Sequence, residues 1–152
     1  MKWTSVDLQK YDQAKEYIDT IIVPLAPFQI GALEASAKNA DQYDVLTLFA
    51  RELEKELMGR IMLTPIYTYI TSAEKLQEAE RINEWTNHFK EQPFKQVLYI
   101  SFDPSWRKIA NDLEGEFIWL PTASLKDADP AAVKGIIRDQ TLQTVELIKS
   151  FW

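Results

Sequence analysis

The order of elements in this chain predicts an α/β fold. The expected form is a three-layer α/β/α domain around a mostly parallel sheet of about four strands. Three observations carry that expectation. Helix-period and strand-period apolar patterns alternate from one end of the chain to the other. The strand-like runs Asp19 to Pro24 (DTIIVP) and Lys95 to Phe102 (KQVLYISF) are continuous rather than alternating, as in strands buried on both faces. Two Asp-Pro pairs, Asp103-Pro104 and Asp129-Pro130, have the cap-then-proline order of a helix start.

Taken in order, the first helix begins at Thr4 or Ser5, with Leu8, Tyr11, Ala14 and Ile18 recurring at three to four residues. The first strand follows over Asp19 to Pro24. Residues 24–40 are the least regular part, holding Pro24, Pro27 and Gly31. A helix runs from about Asp41, with Leu46, Phe49, Leu53 and Leu57 on one face and Gly59 as its stop. The second strand spans about Arg60 to Ile70 and is interrupted by Pro65, which marks a strand end, a bulge or an edge. Thr71 and Glu74 have capping-box spacing and open a helix with Leu76, Ala79, Ile82, Trp85 and Phe89 as its stripe. The third strand, KQVLYISF, leads through Asp103-Pro104 into a helix burying Trp106, Ile109, Ala110 and Leu113 and ended by Gly115. A fourth strand, Glu116 to Leu120, precedes the last helix, in which Val133, Ile137, Val145 and Ile148 face inward. The first and third strands fall near the centre of the sheet. No repeat or linker interrupts the pattern, so residues 1–152 read as a single α/β domain.

At 46% hydrophobic and 12% aromatic, 152 residues are enough to build a core. Cysteine is absent, which excludes a disulfide framework, thiolate metal ligation and a thiol nucleophile, and fits a reducing, cytoplasmic setting. The one histidine, His88, reads as a surface or boundary residue, and a zinc site would have to be almost all carboxylate. A net charge of −6 without a basic cluster argues against nucleic acid as a partner. No apolar run is long enough for a membrane span, and the polar start lacks the apolar region of a signal peptide. None of the four glycines forms a phosphate-cradling pattern, and no cofactor is expected.

In an open α/β sheet, ligands bind beyond the carboxyl ends of the strands. Those ends carry Pro24 to Gln29, then Tyr67, Tyr69 and Thr71, then Ser101, Asp103 and Trp106, then Pro121, Thr122 and Ser124. Asp103 is the leading catalytic candidate because it leaves the clearest strand, although Asp before Pro is also an ordinary cap. Glu34 and Asp44 are further candidates as acid, base or ligand, against the competing role of solvated acids near a helix start. Tyr67, Tyr69 and Ser101 are ligand-binding candidates. Trp85, Trp106 and Trp119 read as core. Phe151-Trp152 either docks back on the body or forms an apolar patch for a partner.

The opening MKW…AKEYIDTIIVPL, the element order and the length resemble the YpiF-like family of small uncharacterised proteins from Bacillus-type bacteria. The likeness covers the whole chain and implies no activity, cofactor or catalytic residue. A remoter likeness joins Pro24, Gly31-Ala32-Leu33-Glu34 and Asp44 to the opening of creatininase-type amidohydrolases. There the glutamate leads into a histidine-rich metal stretch; here it is followed by Ala35, Ser36 and Ala37. KQVLYISF is similar to that family's third-strand region, but it ends in Phe102-Asp103-Pro104 in place of an Asn-Gly-His-Gly turn. The resemblance therefore implies a shortened scaffold without metal ligands, and fold likeness without the site carries no function.

Two functions remain. One is a non-catalytic protein acting through a protein partner or as a homodimer. The other is a small-molecule binding or hydrolase-like enzyme using the crevice at the strand ends.

Overall fold

The structure, a computed structural model, describes residues 1–122 and 129–152. Its elements are α1 (Ser5–Ala14), β1 (Thr20–Phe28), α2 (Leu33–Glu56), β2 (Ile61–Leu63), β3 (Tyr67–Ile70), α3 (Lys75–Phe89), β4 (Gln96–Ser101), a 3₁₀ helix (Pro104–Asp112), β5 (Glu116–Trp119) and α4 (Pro130–Lys149). Ser124 lies outside the described residues.

The strands form one five-stranded sheet in the order β2-β1-β4-β5, with β3 also on β1 and every pairing parallel. β1 and β4 are the central strands, as their continuous apolar runs predict. Alternate residues of β1 feed two cores. Ile22 and Ala26 pack with Leu46, Phe49 and Leu53 of α2 and Val145 and Ile148 of α4. Ile21, Val23 and Leu25 pack on the other side with Tyr69, Ile82 of α3 and Trp106 of the 3₁₀ helix. The result is the expected three-layer α/β/α arrangement.

Where four strands were expected there are five, because the second is broken in two. Thr20 pairs with Ile61 and Ile22 with Leu63, whereas Leu25 pairs with Tyr67. Thr64, Pro65 and Ile66 thus oppose only Val23 and Pro24, a bulge of one extra residue at the sheet's edge. β1 itself runs past its expected end and carries Pro24 and Pro27 inside it. The N–H of Thr20 and the carbonyls of Ile22 and Phe28 all bond toward the β2 and β3 side. Even-numbered residues therefore face that side, and Pro24, which has no N–H, faces the bulge. Leu25 turns its carbonyl toward β4 and accepts from Ser101 Oγ at 2.8 Å, so Pro27 faces the side where β4 has ended. Each proline sits where the ladder asks for no donor.

Two helix starts and one helix type differ from expectation. α2 begins at Leu33 rather than near Asp41, just after Gly31, whose φ of +124° suits glycine. None of residues 33–40 is fully buried, and they carry no apolar stripe. α3 begins at Lys75 with Glu74 at its cap and no capping side chain, so Thr71 belongs to the preceding turn; Leu76 is exposed and the stripe reduces to Ala79 and Ile82, with Trp85 and Phe89 half-buried. The segment after Asp103 is 3₁₀ and kinked at Ile109; of its expected face Trp106 and Leu113 are buried, and Ile109 and Ala110 only partly so. Gly115 is a close-approach residue at β5, not a helix stop: a Cβ there would lie 2.5 Å from the Val97 carbonyl oxygen. Thr4, Asp103 and Asp129 cap their helices as read.

Both chain ends dock. The Met1 ammonium pairs with buried Glu54 at 2.7 Å and donates to the Ile61 carbonyl at 2.7 Å. Trp152 donates from Nε1 to Thr20 Oγ1 at 2.8 Å and lies under the Arg60 guanidinium at 3.9 Å. Phe151 packs on the α2–α4 core. The terminal aromatics are thus a clasp and not a free patch. Trp119, expected in the core, is partly exposed and stacks on Arg107. No helix among the described residues is long and apolar enough to cross a membrane.

Candidate functional site

The chain leaves β1 toward β2 on one side and later returns to place β4 on the other, so the order of connection reverses between β1 and β4. In parallel sheets a crevice opens beyond the carboxyl ends at such a reversal. Here Ser101 ties the two strands together. Its Oγ donates to the Leu25 carbonyl and accepts from the Asp103 N–H at 3.1 Å.

On the α3 side of the sheet, Asp103 is the hub of a polar cluster. Its Oδ1 accepts from the Ser105 N–H at 2.9 Å and the Ser105 hydroxyl at 2.6 Å. Its Oδ2 accepts from the Tyr69 hydroxyl at 2.6 Å and faces Lys75 Nζ at 3.2 Å. The Tyr69 oxygen accepts in turn from Trp106 Nε1 at 2.8 Å, and Lys75 lies 4.2 Å over the Tyr69 ring. Burial alone would push the Asp103 carboxyl up, but the Ser105 and Tyr69 hydroxyls, the Ser105 N–H and the Lys75 ammonium hold it below the usual carboxylate range. Burial, and then the bond to Asp103, raises the Tyr69 hydroxyl far above its ordinary value. Beside it, Tyr67 donates to Glu78, whose other oxygen accepts from Arg81 at 2.8 Å. Burial and the Glu78 contact raise Tyr67 as well. Every polar atom named in this cluster has a partner within the fold.

The α2 side is different. Side chains of β3 alternate, so Tyr67 and Tyr69 are buried toward α3 while Thr68 and Ile70 stand exposed on the opposite face. The N-terminal half of α2 lies along this face without filling it. Between them runs an open groove of about 380 Å³ lined by Pro27, Phe28, Gln29, Ser36, Asn39, Ala40, Tyr43, Asp44 and Thr68. Its polar groups are underused. Gln29 donates to Asn39 Oδ1 at 2.8 Å, Ser36 Oγ is buried without a partner, and Asp44 pairs with no described residue. Large apolar side chains are exposed on neighbouring segments: Phe28 in the lining is 46% exposed, its register partner Ile70 on β3 54%, and Ile30 and Leu33, which follow β1, 86% and 84%.

The six candidate residues therefore do not converge on one site. Asp103, Tyr67 and Tyr69 lie on the α3 face, Ser101 ties β4 to β1, and Asp44 lines the groove across the sheet. Glu34 is exposed in the first turn of α2. Pro27, Phe28 and Gln29, read at the end of the first strand, line the groove, whereas Lys75, Glu78, Asn39 and Thr68 went unread in the sequence. For Thr68 and Ile70 the signal was present, since an alternating YTYI beside a buried strand predicts one outward face. Among the described residues, no three acidic or histidine side chains gather to hold a metal ion; His88 is exposed beside Glu91.

These features define a class: an all-parallel, three-layer α/β protein with an open groove on one sheet face. The chain belongs to the family described as "Protein of unknown function (DUF2487)", which matches residues 9–152. It is 29% identical over 158 residues to "Uncharacterized protein YpiF" of Bacillus subtilis (strain 168), covering 100% of this chain and 98% of that protein. No solved structure matches it.

Proposed function

We propose that this protein is non-catalytic and works by binding another protein through the groove beside α2. The supporting observation is that Phe28 in the groove, its register partner Ile70, and Ile30 and Leu33 on the connection to α2 are all exposed, since large apolar side chains exposed near one another mark interaction sites. The occupant is a protein segment carrying apolar and basic side chains. Glu34, Asp41 and Asp44 are exposed along the same half of α2 against a single lysine, Lys38, on a chain of net charge −6. A second copy would bring like charges together, which disfavours a homodimer at this face. The protein acts as one cytoplasmic α/β domain over residues 1–152, without nucleic acid or cofactor.

A photo-crosslinking residue at Ile30, with a control at Leu142 on α4, tests this in the producing cell. The expected result is an adduct with a different protein at Ile30 and none at Leu142. Adducts with the chain's own copies, equal adducts at both sites, or none would overturn it. One observation favours the alternative, a small-molecule or hydrolase-like enzyme: Asp103, Tyr69 and Lys75 stand within bonding reach of one another. That reading needs a substrate to displace bonds the cluster already makes.

A further inference from the structure

We infer that the groove receives an arginine side chain of the bound protein, with its guanidinium at the Asp44 end; this rests on the protein-binding reading above. The groove is elongated. Ser36 and Asp44 stand roughly 12 Å apart along α2, at a rise of about 1.5 Å per residue. That length takes three to four extended residues at about 3.3 Å each, so a peptide segment fits better than a compact metabolite.

The one charged group in the lining is the Asp44 carboxylate, which pairs with no described residue, and Gln29, whose nitrogen donates to Asn39, keeps its carbonyl oxygen as an acceptor. An anion would be repelled by Asp44, and an apolar group would leave the carboxylate without a partner. A cationic donor complements it best. Two partly exposed aromatic rings, Phe28 on β1 and Tyr43 on α2, line the groove. A planar guanidinium carries five donors and stacks on aromatic faces, whereas an ammonium is a compact, strongly hydrated point charge with three. A carboxylate with aromatic rings in the same groove suits the fork.

Three short peptides test the assignment on the intact protein: N-acetyl-Leu-Arg-Leu-amide, its citrulline counterpart of matched shape without charge, and its lysine counterpart. Binding is followed by NMR shifts of the backbone amides of residues 28–44. The arginine peptide is expected to give saturable shifts and to bind about tenfold more tightly than the other two. Asp44→Asn is expected to erase the preference over citrulline by weakening the arginine peptide about tenfold. Absence of saturable shifts, equal binding of all three peptides, lysine as tight as arginine, or an Asp44→Asn variant that keeps the preference would each overturn the inference. The crosslinking result separates the two failures: an Ile30 adduct with an arginine-blind groove sinks the anchor alone, and no adduct sinks both.

Discussion

The two faces of the sheet at its carboxyl end are built from the same strands and differ in how far their polar groups are satisfied. Toward α3, Tyr69, Asp103, Trp106, Lys75 and Ser105 form a closed set in which each polar atom is bonded within the fold. Toward α2, Ser36, Gln29 and Asp44 keep unused capacity beside exposed apolar side chains. A closed polar network in a low-dielectric setting stabilises and fixes one arrangement. An open one costs something until a partner completes it. The residues that look most like chemistry in this protein are the ones most committed to structure.

The largest expected effect is on the closed face. Trp106→Ala removes a fully buried indole and the donor to Tyr69, and urea unfolding should show a loss of about 3–5 kcal/mol. A near-neutral result would break the contrast, because the cluster would then not be a scaffold.

Asp103→Asn sharpens it. Loss of the charged cap should cost about 1–2 kcal/mol near neutral pH. The folded carboxyl titrates below its unfolded value of about 3.9. Its contribution is therefore complete above that value and disappears as pH falls through the lower, folded one. Melting curves of the wild type and the variant should converge in acid. A gap that stays constant with pH would remove the charge from the account.

The smallest effect on stability belongs to the open face. Ile30→Ser and Leu33→Ser should shift unfolding by no more than about 0.5 kcal/mol, yet each should weaken capture at the groove. A large stability loss would mean that these side chains are packed in solution and not available.

Legibility in the sequence follows the same division. β1 and β4 were readable because burial on both faces leaves an uninterrupted apolar run. Asp103 was readable as a cap, because cap and proline are neighbours. Its bond to Tyr69 was not, since only the parallel register of β3 on β1 and β4 on β1 brings those residues together. The first two turns of α2 were missed for a reason tied to their proposed role. With none of residues 33–40 fully buried, no apolar stripe is needed, and a helix without a stripe has no period to detect. Sequence patterning records what the fold buries, so an open binding wall leaves little trace.

The placement of Pro24 and Pro27 has a consequence for the protein as it is made. β1 is strongly apolar, and its first partner strand begins at Ile61. At roughly 5–20 residues per second, about 2–8 s pass between synthesis of Thr20 and of Ile61. During that wait a bare strand can zip onto another nascent copy along either side. One proline interrupts the donor row on one side and the other interrupts it on the opposite side. The finished sheet needs neither missing N–H, and the unfinished chain is guarded against aggregation by both.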